Sequence, residues 1–374
     1  MKKTAIVTLL IISFLSFSCK AQEKPNDIPI KDEVKKYTFE TVASGIAIPW
    51  GMTWLPDGTM LVTEKSGILY HIKNTTKTEI KNVPKVYSRG QGGLLDIALH
   101  PDYAKNGWIY MTYASDEGEG TGGNTKLIRA KLLNESLTQI ESLYKATPNT
   151  TKGQHFGSRI VFDNEGYLYF SVGDRGEHFV NPQDIKRAGG KIYRLNDDGS
   201  IPKDNPFVGQ TGDKKAIYTY GNRNPQGMAK NPVTGAIWLH EHGPKGGDEI
   251  NIIKKGANYG WPVVTYGIDY DGTTISKENE KPGIEKPIYY WLPSIAPSGM
   301  AFVSSDKYPD WKDHLLVGSL KFQYLELVQL EGNTVIGRQK IATDIGRVRN
   351  VVQAPDGFIY MGVEGKGIVK IIPN

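Results

Sequence analysis

One phrase, repeated six times, sets the fold open to this chain: an alternating apolar run, a turn built on Pro-Asp-Gly or a relative, then a strand rich in Leu, Ile, Val and Tyr. The copies are GMTWLPDGTMLVTE from Gly51, LDIALHPDYAKNGWIYMTY from Leu95, SRIVFDNEGYLYFSVGDRG from Ser158, QGMAKNPVTGAIWLHEHG from Gln226, SGMAFVSSDKYPDWKDHLLVGS from Ser298 and RNVVQAPDGFIYMGVEG from Arg349. Period-two patterning on both sides of such turns specifies antiparallel hairpins. The copies recur about 45 to 75 residues apart, and a four-stranded propeller blade takes ~40–50 residues. The expected fold is therefore all-β: a six-bladed β-propeller of four-stranded antiparallel blades over residues 37–374. A chain of 374 residues with 42 glycines suits one large turn-rich ring. Helix-period segments are rare, Asn134 to Tyr144 being the best candidate.

The ends carry a different kind of signal. Lys2 and Lys3 precede an apolar run from Ala5 to Phe17 that is too short to span a bilayer stably, followed by small residues before Cys19. Residues 1–18 read as an export signal. Cys19 is the sole cysteine, which rules out an intramolecular disulfide, and its position after Leu15-Ser16-Phe17-Ser18 resembles a lipoprotein processing site, with Ser16 where that motif normally has leucine. Cleavage after Ala21 is the rival, giving a soluble periplasmic protein instead of a lipid-anchored one; Lys20 fits sorting to an outer membrane. The polar stretch 19–36, with Pro25 and Pro29, reads as a flexible tether. Net charge is +5 before the two leader lysines are removed, and the lysines are scattered, so neither nucleic acid nor a polybasic membrane patch is indicated.

In a propeller ring the first strand of each blade lines a central channel, and loops entering those strands form a funnel suited to a ligand. The unusual residues lie in the loops just before or after the repeated strands: Gln91, His155, Asp174 with Arg175, the run Tyr220-Gly-Asn-Arg-Asn-Pro-Gln-Gly227, the run His240-Glu-His-Gly-Pro-Lys-Gly-Gly-Asp-Glu-Ile-Asn251, Lys321, Arg347 and Arg349. They offer a histidine as base, an aspartate to orient it, and four cations (Arg223, Lys321, Arg347, Arg349) drawn from separate copies of the repeat. Taken singly, each arginine could be a surface ion pair. Converging in a funnel, they suit a multiply charged anion, since guanidinium groups match carboxylates or phosphates in bidentate fashion.

These motifs resemble the PQQ-dependent soluble glucose/sorbosone (aldose sugar) dehydrogenases, over about Phe39 to Ile372, with GNRNPQG, HGPKGGDEIN and NYGWP the most specific strings. The resemblance implies oxidation of an aldose at C1 to the lactone, with pyrroloquinoline quinone (PQQ) and calcium as cofactors and an external electron acceptor. By that likeness His155 is the general base, Asp174 its orienting partner, and Arg223 the stabiliser of charge on the reduced quinone oxygen. Asn224, Lys321, Arg347 and Arg349 match positions holding the cofactor's carboxylates and quinone oxygens, and Gln91 and Gln226 match residues near cofactor and sugar. Carbonyls of Gly243 and Pro244 would complete a calcium site; Glu249, the backbone of Tyr259 and, more weakly, Asp269 suggest a second, structural calcium, hard oxygen ligands being what calcium takes.

Other readings stay open on the residues alone. A lactonase-like propeller hydrolase would hold calcium on Asp, Glu and Asn side chains deep in the channel, where this chain has cations. A non-catalytic carbohydrate- or protein-binding propeller would need neither the base nor the cations. His240 and His242 could share one strand face as metal ligands, but no third ligand is evident. His100, His178 and His314 read as surface or turn residues, and Trp54, Trp238 and Trp261 as packing between blades, one or two of which could instead line the sugar site. No dinucleotide fingerprint, P-loop or serine elbow is present.

Overall fold

Each repeated phrase forms the first two strands of a blade. In the computed structural model, which describes residues 28–210 and 215–374, the first strands are Pro49–Trp54, Leu94–Leu99, Ile160–Phe162, Pro225–Lys230, Pro297–Phe302 and Val348–Gln353. Each touches the first strand of the next blade, and the last returns to the first, so the ring is closed. Six antiparallel sheets radiate from it, four-stranded except that the fifth blade gains an extra edge strand. The fold is the six-bladed β-propeller expected.

Apolar residues are buried between blades, where the faces of two sheets meet. Tyr110, Tyr144, Phe170 and Tyr193 fill the space between blades two and three, with Phe170 and Tyr193 stacked at 4.9 Å. Trp238 and Phe302 meet edge-to-face at 5.3 Å between blades four and five. Burying a side chain such as Phe170 contributes about 1.5–3 kcal/mol.

Five of the six first strands carry a register irregularity near their start, at Pro49/Gly51, Leu94/Ile97, Pro225/Gly227, Ser298/Met300 and Val348/Asn350. A bulge bends its strand and re-aims the neighbouring side chains. The device thus recurs at the same height around the ring, and Gln226 and Arg349 sit at two of these points.

Two details differ from the sequence expectation. The segment proposed as helical is a strand, Ser136–Lys145, paired with Asn124–Leu133. Asn134 and Glu135, both at positive φ, form the tight turn joining the two, and a register slip between Thr138 and Glu141 breaks the two-residue period. The helix among the described residues is one turn, Tyr103–Asn106. The tether drawn over 19–36 includes a docked portion: Ile30–Lys31 pairs in parallel with Arg338–Gln339, and Glu33 accepts from the N–H groups of Ala342 and Thr343, each at 3.2 Å. The leader, Cys19 and the tether up to residue 27 lie outside the described residues. No helix among the described residues is long and apolar enough to cross a membrane.

The ring is closed by its two ends. Tyr37–Ala43 forms the outer strand of the sixth blade, antiparallel to Gly367–Pro373.

Candidate active site

His155 and Asp174 are brought together at one mouth of the channel. The imidazole Nδ1 lies 2.6 Å from Asp174 Oδ1, and the second carboxylate oxygen accepts from the indole N–H of Trp261 at 2.9 Å. With Asp174 ionised, Nδ1 carries the proton and Nε2 keeps its lone pair; Nε2 has no partner among the described residues. Burial and the charge of Arg223 push His155 below its ordinary 6.5, against the opposing pull of Asp174. Burial pushes Asp174 up, but His155 and Arg223 outweigh it and leave the carboxyl below its ordinary value. The pair is therefore a neutral imidazole oriented by a carboxylate, the arrangement a general base needs.

The loop that presents His155 is held in an uncommon conformation. His155 sits at φ +58°, in the left-handed region, and non-glycine residues there concentrate at functional sites. Gln91 accepts the His155 backbone N–H at 2.8 Å, and Asn224 accepts that of Gly157 at 3.1 Å. Arg175, almost fully buried, donates to the carbonyls of Lys152 and Gln154 and lies over the Phe156 ring at 3.4 Å. Gly173 allows the close approach: a Cβ there would fall 2.2 Å from the His155 carbonyl oxygen.

The cations converge as expected, but two of them are not free. Glu364 accepts from Arg347 Nε at 2.6 Å and from Arg349 Nε at 2.9 Å, and the arginines hold its carboxyl below the ordinary value despite burial. Arg349 also donates to Gln226 Oε1 at 3.0 Å, while Arg347 donates to the carbonyl of Leu320, next to Lys321, at 3.0 Å. Lys321 is exposed, with its ammonium 5.1 Å from the Phe322 ring centre. Lys65 adds a fifth cation, donating to the carbonyl of Gly90 at 2.9 Å. The inventory drawn from sequence had neither Glu364 nor Lys65. A signal was available: charged residues sit at or just past the end of the second strand in several repeats, as Glu64-Lys65, Asp174, Glu241, Lys321 and Glu364.

Arg223 is buried beneath Trp261, its guanidinium carbon 5.4 Å from the ring centre. Its Nε and the Nδ2 of Asn224 are buried donors without partners among the described residues. Buried donors left unmatched call for acceptors, so this cradle suits a ligand that brings hydrogen-bond-accepting oxygens.

Gly243, Glu249 and Tyr259 line one small cavity of about 10 Å³ together with Arg223, Glu241 and Trp261. The Gly243 N–H donates to Asp248 at 2.9 Å, and its carbonyl has no partner among the described residues; the Pro244 carbonyl accepts from Ser294 at 3.3 Å. Burial pushes Glu249 well above the ordinary carboxylate range, and the charge of Glu241 pushes it further. Oxygen donors of this kind fit calcium. Asp269 stands apart, accepting from the Tyr270 N–H at 2.7 Å in an exposed turn, and does not line the cavity. His240 and His242 each engage a backbone carbonyl of the next blade through Nε2, Gly299 at 3.0 Å and Pro297 at 2.7 Å.

Fold and site together define a propeller with a carboxylate-oriented imidazole beside a cluster of cations. The glucose/sorbosone dehydrogenase family profile matches residues 46–370. The aldose sugar dehydrogenase YliI of Escherichia coli K12 is 42% identical over 321 residues, covering 84% of this chain and 86% of that protein. The quinoprotein glucose dehydrogenase B of Acinetobacter calcoaceticus is 27% identical, covering 92% and 90%. Among solved structures, the soluble aldose sugar dehydrogenase of E. coli in its apo form superposes with a TM-score of 0.85 at 38% identity, over 90% of this chain and all of that one. The PQQ-bound aldose sugar dehydrogenase of Streptomyces coelicolor gives 0.75 at 27% identity, over 93% of this chain and all of that one. The chain belongs to the glucose/sorbosone dehydrogenase family and is an oxidoreductase of the aldose sugar dehydrogenase kind.

Proposed function

We propose that this protein oxidises aldose sugars at C1 to the lactone, using PQQ and calcium. The observation that carries the reading is the His155–Asp174 pair set beside a cradle whose buried donors, Arg223 Nε and Asn224 Nδ2, lack acceptors among the described residues. Bound PQQ would supply a quinone able to take up two electrons as hydride, chemistry that protein side chains lack. Arg223, Asn224, Lys321, Arg347 and Arg349 would hold its oxygens, with Gln91 and Gln226 alongside. Carbonyls of Gly243 and Pro244 would hold the calcium.

The chain's own part is proton handling and orientation. His155 Nε2 takes the proton of the sugar's C1 hydroxyl as hydride leaves C1. Asp174 fixes the ring's tautomer and stabilises the imidazolium that forms, and Trp261 holds the far carboxylate oxygen so that the aspartate cannot turn away. Arg223 faces negative charge that grows during reaction, an electrostatic role worth most in a site of low dielectric.

The reading is tested by dye-linked oxidation of glucose and a panel of aldoses by residues 22–374, with PQQ and calcium supplied together or singly. Activity that needs both supports it. No turnover together with no calcium-dependent PQQ binding overturns it in favour of a binding propeller. The same reading places the domain outside the cytoplasm on a lipid at Cys19; Cys19→Ser should then move the protein from the membrane to the soluble fraction, and an unchanged distribution removes the anchor.

A further inference from the structure

Lys191 opens the third strand of blade three, Lys191–Leu195, and is fully buried. A buried ammonium needs its donors matched. Here Nζ donates to three main-chain carbonyls, those of Asn181 at 2.7 Å, Gly189 at 2.7 Å and Pro182 at 3.0 Å. All three belong to the loop 173–190, which joins the second strand of the blade, Leu168–Val172, to the third. Carbonyl dipoles aimed at one point repel one another unless a cation stands between them, so this loop is folded around the ammonium.

The same loop grips the partner of the base. Asn181 Nδ2 donates to the carbonyl of Asp174 at 2.9 Å. Gln183 Nε2 donates to the carbonyl of Trp261 at 2.8 Å, and Gln183 Oε1 accepts from Asn258 at 2.8 Å. Trp261 in turn holds Asp174 Oδ2 through its indole N–H. The Pro182 carbonyl that takes Lys191 also accepts the N–H of Gly221 at 3.0 Å, close ahead of Arg223. Two paths to Asp174 thus meet at Lys191: one runs through Asn181 to the main chain of the aspartate, the other through Pro182, Gln183 and Trp261 to its carboxylate.

We propose that Lys191 is a positioning residue: it draws the loop 173–190 into one conformation and so aligns Asp174 and Trp261 with His155. The inference rests on the reading of His155 as the base and Asp174 as its partner, and deepens it by naming what holds that partner in place. Lys191 acts through Asn181 and Gln183 and takes no part in proton transfer.

The test compares wild type with Lys191→Met, whose side chain is of similar length and has no donor. With PQQ and calcium supplied, Lys191→Met lowers kcat ~10-fold or more, as lost alignment does, while KM for glucose stays within about threefold. The pH profile separates alignment from simple loss of charge. Asp174 favours protonation of His155, whereas Arg223 and Arg175 oppose it. Removing the Lys191 charge alone would move the acid midpoint of turnover up; loosening Asp174 moves it down, by ~0.5 pH unit or more. A second readout needs neither cofactor nor sugar: in full-length protein labelled with fluorotryptophan, the fluorine NMR signal of Trp261, assigned by its absence from Trp261→Phe, shifts or broadens in Lys191→Met. Wild-type kcat, an acid midpoint that stays or rises, or an unmoved Trp261 signal each overturns the proposal, whatever happens to the melting temperature. Should Lys191→Met fail to fold, Asn181→Ala decides. It keeps the main-chain carbonyl for Lys191 and removes the amide that holds Asp174, so its acid midpoint also falls, and a wild-type midpoint overturns the proposal. A protein inactive on every aldose overturns the dehydrogenase reading, while the Trp261 signal still judges Lys191.

Discussion

The two ends of the central channel are built from the same six strands and could hardly differ more. At the funnel end the first strands present Gln226, Ser298 and Arg349, and the loops bring His155, Arg223 and Lys321. A few residues further along the same strands the wall mixes Met52, Met228, Met300 and Phe302 with Lys230, Asn350 and Gln353, around a cavity of about 330 Å³. Between them lies a plug. Arg159 donates to Asp96 at 2.8 Å and to the Gln226 carbonyl at 3.1 Å, and lies over the Trp50 ring at 4.2 Å, so a single side chain ties four blades together. Both members of the ion pair are about 5% exposed. Charge at the plug is paired within the ring, Arg159 against Asp96, with Arg159 Nη2 alone left without a partner among the described residues, whereas at the funnel Arg223 Nε and Asn224 Nδ2 are open to a ligand.

That contrast can be broken at its strongest point first. His155→Ala should lower turnover roughly 10²- to 10⁴-fold, the usual share of a general base, while PQQ still binds by titration; equal loss of binding and turnover would make His155 structural. Arg159→Met should act on stability instead, leaving Asp96 buried and unpaired at a cost of about 3–5 kcal/mol in denaturant unfolding, and Asp96→Asn in the same chain should recover much of it. The double variant Arg347→Ala and Arg349→Ala should weaken PQQ binding roughly 100-fold, and unchanged reconstitution would remove the carboxylates from that position.

Smaller effects sharpen the comparison. His155 is held below 6.5, so turnover should fall only as pH drops through a midpoint under that value, where the base becomes protonated. Asp174 favours the protonated ring, so Asp174→Asn should move the midpoint lower as well as slowing the reaction. Arg223→Gln should move it higher, because Arg223 opposes protonation. Least of all, Lys230→Ala at the far end should change neither activity nor melting beyond ~0.5 kcal/mol.

How much of this was legible in the chain follows from what repeats and what does not. The repeat pattern gives six blades and the place of His155, Asp174, Arg223 and Arg349, because in an antiparallel hairpin the start of the first strand and the end of the second lie at the same mouth of the channel. Glu364 escaped notice although it stands in the tail of the last copy, since one repeat gives no sign that a carboxylate will fold back onto two arginines two residues apart. That Glu241 stands opposite Glu249 depends on strand register, which a hairpin's sequence determines only once its turn is known. Asp269 erred the other way: proximity to Tyr259 in sequence suggested a shared site, but a turn around Gly272 turns it outward. Trp261 looked like packing and proved to anchor Asp174, a role decided by one indole N–H.

The strand Tyr37–Ala43 closing the sixth blade has a temporal consequence. The blade bearing Arg347, Arg349 and Glu364 is the last to leave the ribosome and takes its outer strand from the first part of the domain to do so. Assembly of the cationic cluster therefore waits for the whole domain: a chain stalled before residue 347 lacks both the arginines and a partner for its own beginning. The ring works as a latch that fastens last, so that an unfinished copy cannot close.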